Sequence, residues 1–241
     1  GDAGDNLVGV AASPETGAKL GIPPERMLRI WDWVGGRTSL WSAVGFSLFV
    51  AIGEKRFREL LAGAHALDEH FRSTPLGGNL PALHGLLTLW YRDFWGAQTT
   101  AVVPYSTALR LLPAYLQQLW MESNGKRVAT GGSDVEADTG SVLWGGEGTN
   151  AQHAVFQLLH QGTTLVPLDF IGFAHPTAGG DAERHDLLAA NLFAQAEALA
   201  FGRTEEELRE ADTPEETIPY RVMPGNRPSS VILAERDRLG G

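Results

Sequence analysis

The strongest constraint on this chain is a rhythm. Short runs of β-branched and apolar residues alternate with longer stretches of helical periodicity. "NLVGVAA" (residues 6–12) reads as a short buried strand, and residues 27–34 form a second apolar run closing on a glycine pair. "TTAVVPY" (99–105), "SVLWG" (141–145) and "TTLVPLDFIGF" (163–173) read as further strands. Between them, a helix pattern starts at Ser39, breaks at Gly53 and resumes through Phe71. Asn79 as cap and Pro81 in the first turn open another helix, to about Trp95. "TALRLLPAYLQQLW" (107–120) is helical, with Ser106 as cap and Pro113 as a kink. Residues 151–162 form a helix closed by Gly162, and 181–201 carry one apolar stripe through Leu188, Leu192, Ala196 and Leu199. Thr204 and Glu207 fit a capping box. Residues 214–228 are the loosest segment.

Such alternation implies an α/β fold, a mostly parallel sheet with helices on both faces. Ligands of open parallel sheets sit past the C-terminal strand ends. That points to residues 34–37, to 144–150 and, less directly, to the loop after Trp120.

The formal net charge of -10 argues against a nucleic-acid partner, which needs a basic face. There is no cysteine, so disulfides and thiolate metal sites are excluded. No apolar run is long enough for a membrane span, and no signal peptide is visible. A cytoplasmic protein is expected. The chain lacks an initiator Met, opens on "GDAGDN" and closes on "RDRLGG", which reads as a piece of something longer.

Three places carry chemistry. In "GGR", Gly36 lets a backbone approach a ligand closely, and Arg37 near a helix start suits an anion; the alternative is a surface turn with a solvated arginine. "GGEGTNAQH" is a glycine-rich loop running into a helix, without the Lys-Ser/Thr ending of a phosphate-binding P-loop. His153 falls in that helix's first turn, where the dipole favours a neutral imidazole suited to trading protons, or a structural imidazole on a carbonyl. In "LQQLWMESNGK" (116–126), Glu122 is expected just past the last helical turn, flanked by Trp120 and Met121. Apolar neighbours and the negative helix end both make such a carboxylate readier to accept a proton; the alternative is a solvated loop acid. The pair His65 and His70, five apart, lies off one helical face and reads as structural. His160 is expected to help close its helix, and the aromatic stripe of residues 41–49 to be core.

Taken together, "WDWVGGRTSLWSAVG", "LLAGAHALDEHFRSTP", "QQLWMESNGK", "WGGEGTNAQHAVFQLLHQGTTLVPLDFI", "FAQAEALAFG" and "GNRPSS" resemble the glucose-6-phosphate isomerase (phosphoglucose isomerase) family in order and spacing. The resemblance implies two sugar-isomerase (SIS) domains, each a parallel five-stranded three-layer α/β sandwich. Residues 1–241 would be mainly the second of them, with 214–241 a loosely ordered C-terminal extension. It further implies interconversion of glucose 6-phosphate and fructose 6-phosphate in glycolysis and gluconeogenesis. No metal or organic cofactor is implied, and the partners would be a sugar-phosphate substrate and a second subunit of a homodimer with shared sites. By motif, Glu122 matches the general base, Gln118 and Gly36 substrate contacts, Arg37 the stabiliser of the cis-enediolate, and His153 the ring-opening histidine given to the partner's site.

Departures from the family pattern are Thr38 for an aromatic residue, and Gly146, Glu147 and Ala151 ahead of and beside His153. The family's phosphate loops and C-terminal lysine motif have no counterpart among these residues; the lysines here are Lys19, Lys55 and Lys126. The fragment alone is therefore expected to be inactive or nearly so. A non-catalytic sugar-phosphate sensor, or an isomerase also taking mannose 6-phosphate, stays open at this stage.

Overall fold

The structure, a computed structural model, describes residues 6–13, 15–177 and 179–236. The chain forms two compact units, Gly1–Leu87 and Thr88–Gly241, where the sequence reads as one domain.

In the first unit, strands β1 (Gly9–Ala11) and β2 (Met27–Arg29) pair in parallel around the short helix α1 (Glu15–Ala18). Gly9 and Gly17 lie under the Met27 side chain; a Cβ at either would stand 2.4 and 2.2 Å from its sulfur. The apolar run expected through residue 34 stops pairing at Arg29, because Val34 N–H turns back onto the Trp31 carbonyl at 2.9 Å. Two 3₁₀ turns (Arg37–Trp41 and Ala43–Gly45) stand where an α-helix was expected from Ser39. Ser39 and Ser42 each donate to the carbonyl three residues back, at 2.7 Å, and so close tight turns instead. Helix α2 (Phe46–Ser73) is broken at Gly53, whose φ of 79° takes it out of the helix, as its sequence position predicts. Phe46 stacks on Phe49 and Phe57 meets Phe49 edge-on, but no residue of α2 is buried and Trp41 is exposed, so the aromatic stripe is no core within this chain. Asn79 starts α3 (Leu80–Leu89): its Oδ1 accepts from Ala82 N–H at 3.2 Å, and its amide donates to the Phe71 and Thr74 carbonyls. His70 is structural too, its ring meeting Thr74 Oγ1 and Leu80 N–H at 3.2 Å. A π-helical turn (Trp90–Phe94) carries α3 to the expected end.

The second unit is a four-stranded parallel sheet in the order β4-β3-β5-β6. Its elements are β3 (Thr99–Pro104), α4 (Leu112–Asn124), β4 (Val142–Gly145), α5 (Gly148–Gln161), β5 (Leu168–His175), α6 (Ala182–Phe201), α7 (Glu205–Glu210) and β6 (Ser229–Arg236). Four strands share this sheet among the described residues, against the five expected. Pro113 sits in the first turn of α4 and opens it rather than kinking it. The core joins Ala101, Val103, Leu168 and Phe170 of the sheet to Phe156 and Leu159 of α5 and to Leu192 and Leu199 of α6. The α6 stripe is the expected one, and the capping box at Thr204 and Glu207 is present in both directions.

The segment read as a loose extension is instead built in. Ile218 is buried, and the chain crosses the end of α6 through paired bonds between Arg203 and Met223, at 2.8 and 3.0 Å. It then adds β6 beside β5, starting where Leu168 N–H meets the Pro228 carbonyl at 3.0 Å. Residues 237–241 of that extension lie outside the described residues. The crossing depends on Gly202, which has φ of 71°; a Cβ there would stand 2.1 Å from the Met223 oxygen. Gly202→Ala combines left-handed strain, about 1–2 kcal/mol, with a backbone collision. We expect urea denaturation to show a loss of at least about 2 kcal/mol; a change within about 0.5 kcal/mol, normal for an inert surface site, would mean the crossing yields freely.

Candidate active site

Because all four strands point the same way, α4 must carry the chain from the C-terminal edge of β3 back to the N-terminal edge, where β4 begins. Its 13 residues cover about 20 Å at the α-helical rise. Glu122 therefore lies at the N-terminal edge of the sheet, not beyond a C-terminal strand end. It also lies inside the last turn of α4 rather than past it, since the helix runs to Asn124 with Gly125 as cap.

The last turn is heavily fastened. Gln118, one turn earlier on the same face, donates its amide to Glu122 Oε2 at 2.7 Å. Lys126 Nζ donates to the Glu122 carbonyl, Asn124 Nδ2 to the Trp120 carbonyl at 3.1 Å, and Gly125 N–H to the Met121 carbonyl at 2.9 Å. These donors answer the orphan carbonyls of the helix end, so an acidic residue is tolerated there. Trp120 and Met121 do not desolvate Glu122, which is exposed. Trp120 points elsewhere: its indole N–H donates to the carbonyl of buried Ser141 at 3.0 Å. Gly140 makes room for this, since a Cβ there would stand 3.3 Å from the indole nitrogen and 2.8 Å from Asn124 Cβ. Ser141 Oγ in turn meets Thr100 Oγ1 at 3.0 Å. The turn carrying Gln118 and Glu122 is thus pinned to the sheet through β4. Sequence reasoning missed Trp120 as the anchor; the small, polar Gly140-Ser141 pair ahead of a strand was the available signal.

Arg37 and Gly36 belong to the first unit. Gly36 has φ of 59° and ψ of -162°, a conformation for glycine alone. Thr38 uses its hydroxyl on the Gly35 carbonyl at 3.1 Å, and Ser39 clamps Gly36, so the "GGR" backbone is held from the following turn. Arg37 is exposed. The motif follows a turn, not directly a strand end, because β2 has already stopped at Arg29.

His153 is exposed on α5, in the second turn rather than the first, because the helix starts at Gly148. The loop ahead of it is rigid by packing. A Cβ on Gly148 would enter the Tyr105 ring at 2.5 Å, and Gln152 donates to Tyr105 Oη at 2.8 Å. Burial pushes the Tyr105 phenol above its ordinary value, with the Gln152 bond working the other way, so it stays a neutral hydroxyl. Glu147 accepts from Thr107 Oγ1 and, at 3.3 Å, from Asn150. Since α5 starts where β4 ends, His153 stands near the C-terminal edge of the sheet, and Glu122 of the same chain stands at the other. The two do not meet within one chain. His160 is buried and fastens α5 to α6 through Gln195 Oε1 at 2.8 Å, instead of closing its own helix.

Trp120→Phe keeps the ring and removes the N–H. We expect a loss of about 1–2 kcal/mol, from the bond and the orphaned buried carbonyl, with faster amide exchange confined to the end of α4. Urea denaturation with hydrogen exchange checks this, and unchanged exchange there would remove Trp120 as the anchor.

The sequence profile of the phosphoglucose isomerase family matches residues 2–238. The glucose-6-phosphate isomerase of Rhodococcus opacus (strain B4) is 55% identical over 236 residues, 96% of this chain and 43% of that protein. That of Roseiflexus sp. (strain RS-1) is 54% identical over 231 residues, 96% of this chain and 42% of that protein. Among solved structures, a glucose-6-phosphate isomerase from Chlamydia trachomatis D/UW-3/Cx superposes with a TM-score of 0.78 at 41% identity, over 87% of this chain and 40% of that one. The chain spans under half the length of the curated relatives it matches. With the family profile running through nearly all of its residues and half of them identical in these relatives, the chain belongs to the phosphoglucose isomerase family.

Proposed function

We propose that this chain is part of an aldose-ketose isomerase that interconverts glucose 6-phosphate and fructose 6-phosphate, acting in the cytoplasm and needing no cofactor. The parallel sheet of the second unit is read as the second sugar-isomerase domain of that longer enzyme. The observation that carries the proposal is the Gln118–Glu122 couple: a carboxylate oriented at 2.7 Å by a neutral amide, on a helix end pinned to the sheet. A base that must move one proton between adjacent carbons needs a fixed carboxylate.

In this reading Glu122 takes the proton from C2 of the open-chain aldose and returns it to C1 of the cis-enediolate. The carboxyl carries the proton between the two carbons while O2 gives up a proton and O1 gains one, so one base serves both directions. Gln118 holds that base and contacts the sugar. Arg37 stabilises the oxyanion that develops when the proton is off, an effect often worth about 10²–10³ in rate. Gly36, with no side chain, lets the sugar approach the backbone. His153 trades a proton during ring opening. Its separation from Glu122 in its own chain supports a homodimer in which each site takes His153 from the partner subunit. The enediolate chemistry also needs the sugar's phosphate held at a distance, since remote binding energy drives the reacting centre. The phosphate-binding loops and lysine of the family pattern have no counterpart in these residues, so this chain alone should turn over little substrate.

Glu122→Gln in the longer enzyme tests the central role. The amide keeps size and hydrogen bonding but cannot take the proton, so kcat should fall by at least about 10²–10⁴, while direct titration shows substrate binding much less changed. Retention of more than about a tenth of kcat, too much for an enzyme that has lost its base, would make Glu122 a structural helix-end residue.

A further inference from the structure

From the way α5 is fastened we infer that Tyr105 and Gln152 are positioning residues for His153, a role that rests on the part proposed for that histidine in ring opening. Their hydrogen bond sets where the imidazole is presented. His153 is exposed, so it is placed by the backbone of α5 rather than by packing of its own. Apolar contact holds a helix down without fixing its rotation, because burial is not directional. A hydrogen bond weakens steeply when bent and does fix it.

Two side-chain bonds do this for α5. Near its end, His160 Nε2 meets Gln195 Oε1 of α6 at 2.8 Å. Near its start, Gln152 Nε2 donates to Tyr105 Oη, also at 2.8 Å. Residues 152 and 160 stand about 12 Å apart along the axis at the helical rise, so the pair sets the tilt of the helix as well as its rotation.

Tyr105 is the fixed end of the bond near His153. Its N–H donates to the Ile171 carbonyl of β5 at 2.7 Å, and its ring is buried with its centroid 6.0 Å from that of Phe170. Gly148 closes over the ring with no room for a Cβ. A phenylalanine would fill the same space, and a buried hydroxyl costs stability unless it is bonded. What the hydroxyl adds is a fixed acceptor at the start of α5, and the residue that uses it is the neighbour of His153 in the chain. Burial holds the phenol above its ordinary value, so the bond keeps its form across the range in which an imidazole titrates.

The test uses the longer enzyme. Opening and reclosing the sugar ring exchanges the two anomers of glucose 6-phosphate, so NMR exchange spectroscopy reads catalysed ring opening apart from isomerisation. Tyr105→Phe and Gln152→Met each remove one partner of the bond at nearly constant volume, and the double variant removes both. Each single variant is expected to lose stability in urea and to slow anomer exchange about tenfold, short of the roughly 10² that a full ångström of misplacement costs, with KM little changed. The double variant separates positioning from stability. With both polar partners gone no group is left orphaned, so stability returns towards that of the parent, while anomer exchange stays slow because the directional bond is still missing. Anomer exchange that recovers along with stability in the double variant, or that runs at the parent's rate in the single variants, would overturn the positioning role. His153→Ala is the control. If it exchanges anomers at the parent's rate, the part given to His153 falls and the positioning role with it; if it is slow while Tyr105→Phe is not, the positioning role alone falls.

Discussion

In a parallel sheet the end of one strand and the start of the next lie at opposite edges, so every connection must travel the full height of the sheet. In the four-stranded sheet here that constraint fixes where chemistry can sit. Helix α4 descends from β3 and delivers Glu122 at the N-terminal edge. Helix α5 starts where β4 stops and leaves His153 near the C-terminal edge. No side-chain movement brings the two together in one chain. If both residues serve one site, as proposed, the two must come from different copies, and that is the topological ground for proposing a homodimer.

The constraint holds only if the strands keep their register, and two glycines show how tightly it is kept. At Gly145, the last residue of β4, a Cβ would stand 1.9 Å from the Val102 carbonyl; at Gly148, the first of α5, it would enter the Tyr105 ring. The β4–α5 connection is therefore wedged onto the end of β3 by backbone, with Gln152 and Thr107 bonded across it. Beneath it, Ala101, Val103 and Phe170 are fully buried between the helices. Interiors packed this closely transmit displacement, so the ends of β3 and the start of α5 behave as one piece. Two of the three departures from the family pattern here are absorbed locally: Ala151 is buried, and Glu147 takes the Thr107 hydroxyl and the Asn150 amide.

What was legible in the sequence was what local chemistry decides. The break at Gly53, the Asn79 start, the α6 stripe and the Thr204 capping box each need only a few neighbouring residues, and each stands where expected. Strand β6 was missed because its stability is not local. "SSVILAER" offers two contiguous β-formers, then Leu-Ala-Glu-Arg, which reads as helix, and turn residues precede it. Pairing with β5 supplies what the segment itself lacks. The expected desolvation of Glu122 failed for a related reason. Sequence adjacency to Trp120 says nothing of where an indole points, and a carbonyl 21 residues away decided it. At the candidate site the residue identities were readable from motif, while their placement on the sheet edges needed the strand directions.

An acidic residue in the final turn of a helix works against the macrodipole, typically by 0.3–1 kcal/mol when exposed. Around Glu122 the opposing contributions come from its own turn. Lys126 brings a positive charge to the carbonyl of the same residue, Asn124 and Gly125 satisfy two more carbonyls, and Gln118 donates to the carboxylate itself. Each is of the same size as the penalty, so helix stability alone does not oppose the acid. Nor does it require one: a neutral residue at 122 would keep the Lys126, Asn124 and Gly125 bonds, which all go to backbone. Among the described residues the contact that needs the carboxylate is the one from Gln118, and that contact orients it rather than neutralising it. That leaves the carboxylate tolerated and aimed, as the base proposed for it would have to be.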